Sequence, residues 1–551
     1  MSKLFTTVQR AKVPYNHFPL GGERKLSFNM GELIPIYCAE VFPGDMFKAA
    51  SELLIKFAPL KSPVMHRLRA YVDYFYVPYY QLTSVFDKFI NPRTNTPDNP
   101  VLLPKIRPYD MDDIGQLEVG TLSDYLDLPV QQAGWKASEK SKPISVLPFR
   151  AYQHIYNSFY RDQTLQPMEG VDPGRTDLYL NLDYDKDFQG TYDFDDMDED
   201  EYNQLTNLIT LRYSAWKKDY FTSALPTPQA GPEVEIPFVP GEIIANGDMK
   251  FKALGVSEDT IYDSRALAIS DEEVKVGVEL GEDDKYFEYS EGLAMQASSG
   301  AGLTINNMRM LFALQQFKEL QARGGSRSPE VVRNYFGVKV PDLFVDRPAY
   351  LGGMYQDVSV GEVLQTSQST TGATGSAQGY RAGVASVYGK TKTVRYHVKL
   401  WGFVIGILRV LPEAVYYQGV ERMWHRDNLF DYFFPQFAHL GEQEIYNREL
   451  YVDGTDADDE IFGYAPRYAE YKHGCSHVNG EFRTSLSYWH FGRKFAERPS
   501  LNDAFIKADQ ISTEPFNVTG AYVDKLYCHM YTKVGVMREL PYYGTPGLSK
   551  L

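Results

Sequence analysis

Cysteine is scarce in this sequence: Cys38, Cys475 and Cys528 are three among 551 residues. Their odd number and wide spacing exclude a disulfide framework and a CxxC metal site, and fit a reducing compartment. Long hydrophobic runs are missing as well. The longest, Leu400–Leu408, stops at Arg409 after nine residues, whereas a membrane-spanning helix needs about twenty. The opening MSKLFTTVQRAKVPYN lacks an apolar signal core. A soluble, unsecreted chain without a membrane partner is expected. Catalytic signatures are also lacking, with no Gly-x-Ser-x-Gly, no His-Glu-x-x-His and no paired CxxC. GVASVYGKT, beginning at Gly383, ends like a phosphate-binding loop. It has five residues between its glycines instead of four and leads into a strand pattern instead of a helix.

Aromatic residues are abundant: 14% of the chain, with 41 Tyr and 32 Phe. They favour strands and protein interfaces, because they bury a large area at low rotamer cost. The length allows two or more domains, or one domain with long insertions. Acidity is concentrated. Residues 172–201 hold twelve acids and two bases, and residues 242–291 hold fourteen acids and five bases. These nets of −10 and −9 exceed the whole-chain −16, so the rest of the chain is +3. Blocks of like charge read as solvated segments. Residues 1–22 form a mildly basic arm with Lys3, Arg10 and Lys12 and no acid.

Strand patterns gather towards the two ends. Met65–Val77 alternates Leu68, Ala70 and Val72 against Arg67, Arg69 and Asp73. Thr393–Val410 alternates at first and then turns apolar on both faces, as a strand covered on both sides would. Ala521–Val536 is a weaker strand pattern. The spacing suits an antiparallel sandwich with few crossover helices. Helices are expected at Pro148–Asp162, from Thr304 to Gly325, and from Ser328 to Gly337, where Pro329 opens the first turn. Gln365–Gly383 reads as a low-complexity surface loop.

Two polar clusters deserve weighing as ion sites. In PQFAHLGEQEIYNRELY, from Pro435, His439 and Glu442 would share a face if the segment were helical. Glu470 and His473 form one Glu-x-x-His, but between Pro466 and Gly474 the segment is too short for a bundle helix. A carboxylate-bridged dimetal site needs two such pairs and further glutamates, so structure or subunit contact is the expectation here, with no metal and no cofactor. Asp453–Glu460, DGTDADDE, has a calcium-loop composition but lacks the glycine at position six and the glutamate at position twelve.

Nine ordered stretches resemble the major capsid proteins of microviruses, the gokushovirus branch above all. They are ERKLSFNMGELIPIYCAEVFPGD, APLKSPVMHRLRAYVDYFYVP, LPFRAYQHIYNSFYRDQ, DYFTSALPTPQAGPEV, ARGGSRSPEVVRNYFGV, RPAYLGG, PQFAHLGEQ, FGYAPRYAEYK and LPYYGTPGL. The resemblance implies a mainly β chain: a single eight-stranded antiparallel jelly roll of viral capsid type, with long, partly helical inter-strand insertions over residues 1–551. It implies no enzyme, but a structural protein that self-assembles into a T=1 icosahedral shell around circular single-stranded DNA. Minor virion proteins and a host receptor would be further partners. The virion would be its location, after assembly in the bacterial cytoplasm. On this reading residues 240–302 form an acidic surface protrusion, and Lys3, Arg10 and Lys12 face the nucleic acid. The alternative is a β-sandwich host-attachment or carbohydrate-binding module.

Overall fold

The computed structural model describes residues 13–166 apart from 84, 92, 94 and 99, and then 191–192 and 199–231 apart from 230. It continues with short strands between 243 and 297, residues 305–364 apart from 326–327 and 342–345, and 381–543 apart from 475, 519 and 521–522. Lys3, Arg10, Lys12, most of 240–302, and 365–380 of the low-complexity stretch lie outside the described residues. The chain divides into two compact units, residues 1–228 with 322–551, and residues 229–321. The second unit holds short antiparallel pairs, such as Leu267–Ser270 with Glu273–Val276, and most of the helix Ile305–Gly324.

Among the described residues, thirteen strands of four or more residues organise the first unit: β1 (Tyr15–Pro19), β2 (Gly22–Phe28), β3 (Ile34–Val41), β4 (Met46–Phe57), β5 (Leu68–Pro78), β6 (Ala349–Asp357), β7 (Ser359–Leu364), β8 (Arg381–Lys390), β9 (Val394–His397), β10 (Gly402–Pro412), β11 (Glu442–Tyr446), β12 (Ile461–Pro466) and β13 (Leu526–Glu539). Seven form one antiparallel sheet in the order β1-β13-β4-β8-β7, with β2 also on β13 and β9 also on β4. Four form a second, in the order β6-β5-β10-β3. The sheets share a core. Phe47, Leu53 and Ile55 of β4 and Met530 of β13 meet Val72 and Tyr74 of β5 and Val404 and Leu408 of β10, all buried. The chain is therefore mainly β and antiparallel. The weak pattern at Ala521–Val536 becomes the longest strand, β13, whose buried and exposed residues alternate along most of its length.

The two-sided reading of the stretch before Val410 holds for β10. Val404, Leu408 and Val410 face the core between the sheets. Phe403, Ile405 and Ile407 face a second core under the helices α1 (Leu147–Ile155) and α2 (Glu199–Ile209), with Phe149, Tyr152 and Leu208. Reading Thr393–Val410 as one strand is corrected. Its first part is β9 in the seven-stranded sheet and its second part is β10 in the other. The corner is made by backbone bonds: Val398 N–H donates to Asp45 O and Gly44 N–H to Val398 O, both at 2.9 Å. Tyr79 N–H then takes Trp401 O at 2.9 Å. Helix α1 ends at Ile155 and continues as a π-helical turn, Tyr156–Tyr160. The helix Ser328–Phe336 stops where expected, at Gly337, with φ +68°. Among the described residues no helix is long and apolar enough to cross a membrane.

The turn from β2 to β3 carries a buried carboxyl. Glu32 accepts from Asn29 N–H at 2.8 Å, and Asn29 Nδ2 also reaches Asp524 Oδ1 at 3.1 Å. Burial pushes the Glu32 carboxyl up to about 7, against the Asn29 hydrogen bonds and with help from Asp524. A raised folded-state value favours the protonated form in the fold. Its stabilising contribution is complete below about 4.5 and is lost as pH rises to about 7. Glu32→Gln should therefore flatten stability across that window and raise it at pH 8 by on the order of 3 kcal/mol. Urea denaturation at pH 4.5 and pH 8 checks this. Equal pH dependence in both proteins would reject it.

Candidate functional site

Residues 413–525, between β10 and β13, carry a compact elaboration of the fold. Its base is the β11–β12 hairpin on a small core of Tyr220, Phe221, Ile445, Leu450, Phe462 and Phe505. On this base sit three single-turn 3-10 segments, Arg422–Trp424, Leu429–Asp431 and Pro435–Phe437. These turns and the link before the third present Met423, Trp424, Leu429, Phe430, Phe433 and Phe434 to solvent, with Trp424 74% and Phe433 54% exposed. Six large apolar side chains exposed within twelve residues are a candidate contact surface.

Polar groups, the innermost of them buried, fix the platform from beneath. The nearly buried Arg422 donates through Nη1 to Glu444 O at 2.5 Å and sits 3.4 Å from both Glu449 Oε1 and Asp431 Oδ1. Glu449 also accepts from Tyr220 OH at 2.9 Å and Tyr446 N–H at 3.1 Å. Burial pushes the Glu449 carboxyl up, and Arg422 holds against that. Asp431 caps its own turn by accepting from Asn428 N–H at 2.9 Å. Arg467 Nη2 donates to Phe430 O at 2.9 Å and Tyr468 OH to Tyr432 O at 3.0 Å. Tyr468 itself has φ +59°, an unusual backbone for a residue with a side chain. It is held there by its N–H to Gln443 Oε1 at 2.7 Å. The rings brace one another: Phe430 and Phe437 centroids are 4.8 Å apart, Phe433 and Tyr468 5.2 Å. A rigid apolar surface loses little entropy on docking.

The histidine and carboxylates singled out in the sequence lie within this region, without the helix. Gly441, at φ +95°, separates the 3-10 turn from β11, so His439 and Glu442 share no helical face. Glu442 pairs with Arg323, and Glu470 accepts from Gln443 Nε2 at 2.6 Å. His439 and His473 are exposed. Among the described residues no three His, Cys, Asp or Glu side chains group as a metal site would need. In the acidic turn, Arg498 Nη2 reaches Asp453 and Asp458, both at 2.5 Å. Sequence reasoning missed the aromatic platform. Its signal was the density of rings in MWHRDNLFDYFFPQF, which follows no helical or strand period.

The family described as capsid protein (F protein) matches residues 6–548. Capsid protein VP1 of Chlamydia phage 1 is 30% identical, over 100% of this chain and 98% of its own length. Capsid protein VP1 of Bdellovibrio phage phiMH2K is 31% identical, over 95% and 93% respectively. That of Spiroplasma virus 4 is 28% identical over 100% and 99%. With exposed aromatic surface on a two-sheet β scaffold, and end-to-end similarity to three such proteins, the chain belongs to the phage capsid protein (F protein) family and is a structural protein of the virion.

Proposed function

We propose that copies of this chain close into a small T=1 icosahedral shell around circular single-stranded DNA, assembling in the host cytoplasm. The scaffold is an eight-stranded jelly roll. Strands β2, β13, β4 and β8 form one of its sheets and β3, β10, β5 and β6 the other, and their order supports this reading. Residues 79–348 and 413–525 are then its two long insertions. The acidic 240–302 is proposed to protrude outward, where its charge stays solvated. Lys3, Arg10 and Lys12 are proposed to face the packaged strand, and minor virion proteins and a host receptor complete the partners.

One observation carries the reading: the platform of Trp424, Phe430 and Phe433 is exposed in the single chain, yet its backbone is held by Arg467 and the buried Tyr468. Contacts of this kind are heterologous, joining different patches of neighbouring copies, and close only at the right rotation. Each can be weak, because the closed shell holds every copy several times over. The double substitution Trp424→Ser with Leu429→Ser should leave the melting temperature nearly unchanged, since both side chains are exposed. It should raise the concentration at which shells appear at least about a hundredfold. Native mass and negative-stain imaging read this out. Shells forming at the wild-type concentration would reject the platform as the contact, and a wild-type monomer would reject the shell.

A further inference from the structure

The outward face of the seven-stranded sheet is a second surface left exposed among the described residues, and its chemistry differs from the platform's. Alternate residues of β4 and β13 point away from the core, and so do those of β2, β8 and β9. Six bases lie on this face: Lys25, Lys48, Lys56, Lys390, Lys533 and Arg395. The carboxylates on it are Glu23, Glu52 and Glu539. Six against three gives a local +3 in a chain of net −16. Glu52 is taken by Lys390 at 2.6 Å and Glu23 lies 3.5 Å from His529. Lys25, Lys48, Lys56, Lys533 and Arg395 are exposed, and among the described residues no carboxylate pairs with them.

Tyrosines are interleaved with these bases. Tyr388 is 71% exposed, and Tyr527 and Tyr531 are each more than 40% exposed. The pairing register fixes their neighbours. Tyr527 stands opposite Lys56, and Tyr388, Leu54, His529 and Lys25 form one row across four strands. Lys48 lies opposite Arg395 on one side and Gly535 on the other. From Lys48 to Lys56 the face runs about 27 Å at strand rise, long enough for several nucleotides.

We propose that this face binds single-stranded nucleic acid, its lysines and Arg395 neutralising phosphates and its tyrosines stacking on unpaired bases. The proposal rests on the reading that the shell encloses such a strand, and it gives that strand a surface on the folded sheet. Cations alone would serve any polyanion, including an acidic segment of a second copy. Exposed rings between the cations favour bases, which a duplex keeps stacked inside and a peptide does not have.

The test measures binding of the purified full-length chain to a labelled oligo(dT), and to a duplex of equal length, across a salt series. Lys48→Gln, Lys56→Gln and Lys533→Gln together should weaken oligo(dT) binding at least about tenfold. They should also flatten the slope of log K against log salt by about 2, at about 0.7 per phosphate contact. Tyr388→Ala with Tyr527→Ala should weaken oligo(dT) by about tenfold or more and the duplex little. Both variants should melt like the parent and form shells, with less nucleic acid inside. Unchanged oligo(dT) affinity in both variants would overturn the proposal. Lost shells with unchanged affinity would overturn it too, and would make this face a contact between copies. Failure of the parent to form shells would count against the enclosing shell, whereas oligo(dT) affinity tests this face alone.

Discussion

Replacing Arg422 with alanine should cost the folded chain about 3–5 kcal/mol and abolish shell formation. The guanidinium lies between Glu449 and Asp431, with Glu444 O at hydrogen-bond distance. Removing it leaves the Glu449 carboxylate buried without its cation, and that uncompensated charge supplies most of the cost. Tyr220 OH and Tyr446 N–H stay on Glu449 but bring no charge. The turn Leu429–Asp431 keeps Arg467 and Tyr468 but loses its charged tie to the base, which loosens the placement of Phe430 and Phe433. A second substitution separates charge from packing. Arg422→Met combined with Glu449→Leu should recover most of the stability, since a buried pair replaced by apolar groups of similar volume is often neutral. Shell formation should not recover, because Asp431 still lacks the cation that ties its turn to the base. Urea denaturation of the single and double variants, beside negative-stain counts of particles, checks both halves. A single variant within 1 kcal/mol of the parent would mean that Arg422 does not hold the platform.

The sheets were legible in the sequence wherever one face meets a core and the other meets water. The start of β5 is such a case: Leu68, Ala70 and Val72 are buried and Arg69, Tyr71 and Asp73 less so. Apolar character on both faces of β10 also carried its meaning, a strand between two cores. The corner at Val398–Trp401 was not legible, because alternation continues through it. Only the backbone bonds to Asp45, Gly44 and Tyr79 reveal that the chain changes sheets. Arg422 and Tyr468 were missed for a similar reason. Their partners Glu449, Gln443 and Tyr432 are 27, 25 and 36 positions away, a separation at which spacing says nothing. PQFAHLGEQ misled in the opposite sense. His439 and Glu442 have helical spacing, but the positive φ of Gly441 ends the turn between them. The basic sheet face was hidden by averaging, since its bases come from β2, β4, β8, β9 and β13 and the acidic blocks lie elsewhere in the chain.

Ile405→Ala and Leu408→Ala should each destabilise the first unit by about 2–5 kcal/mol, and together they should leave little folded protein at 25 °C. Both side chains are fully buried, yet they belong to different cores. Ile405 packs under α1 and α2 with Phe149 and Leu208, and Leu408 packs between the sheets with Val72 and Phe47. In a sandwich with one solvated face, a residue at the parity of Ile405 would be exposed and its truncation nearly free. Here each truncation opens a cavity that rigid neighbours on both sides cannot collapse to fill. The two sites are about 10 Å apart along the strand and share no core, so their costs should add within a few tenths of a kcal/mol. The sum, about 4–10 kcal/mol, is comparable to the whole stability of an ordinary domain. Chemical denaturation of both single variants and solubility of the double variant provide the measurement. If Ile405→Ala cost under 1 kcal/mol while Leu408→Ala cost several, the helices would not form a second core on β10, and the four-stranded sheet would be covered on one side only.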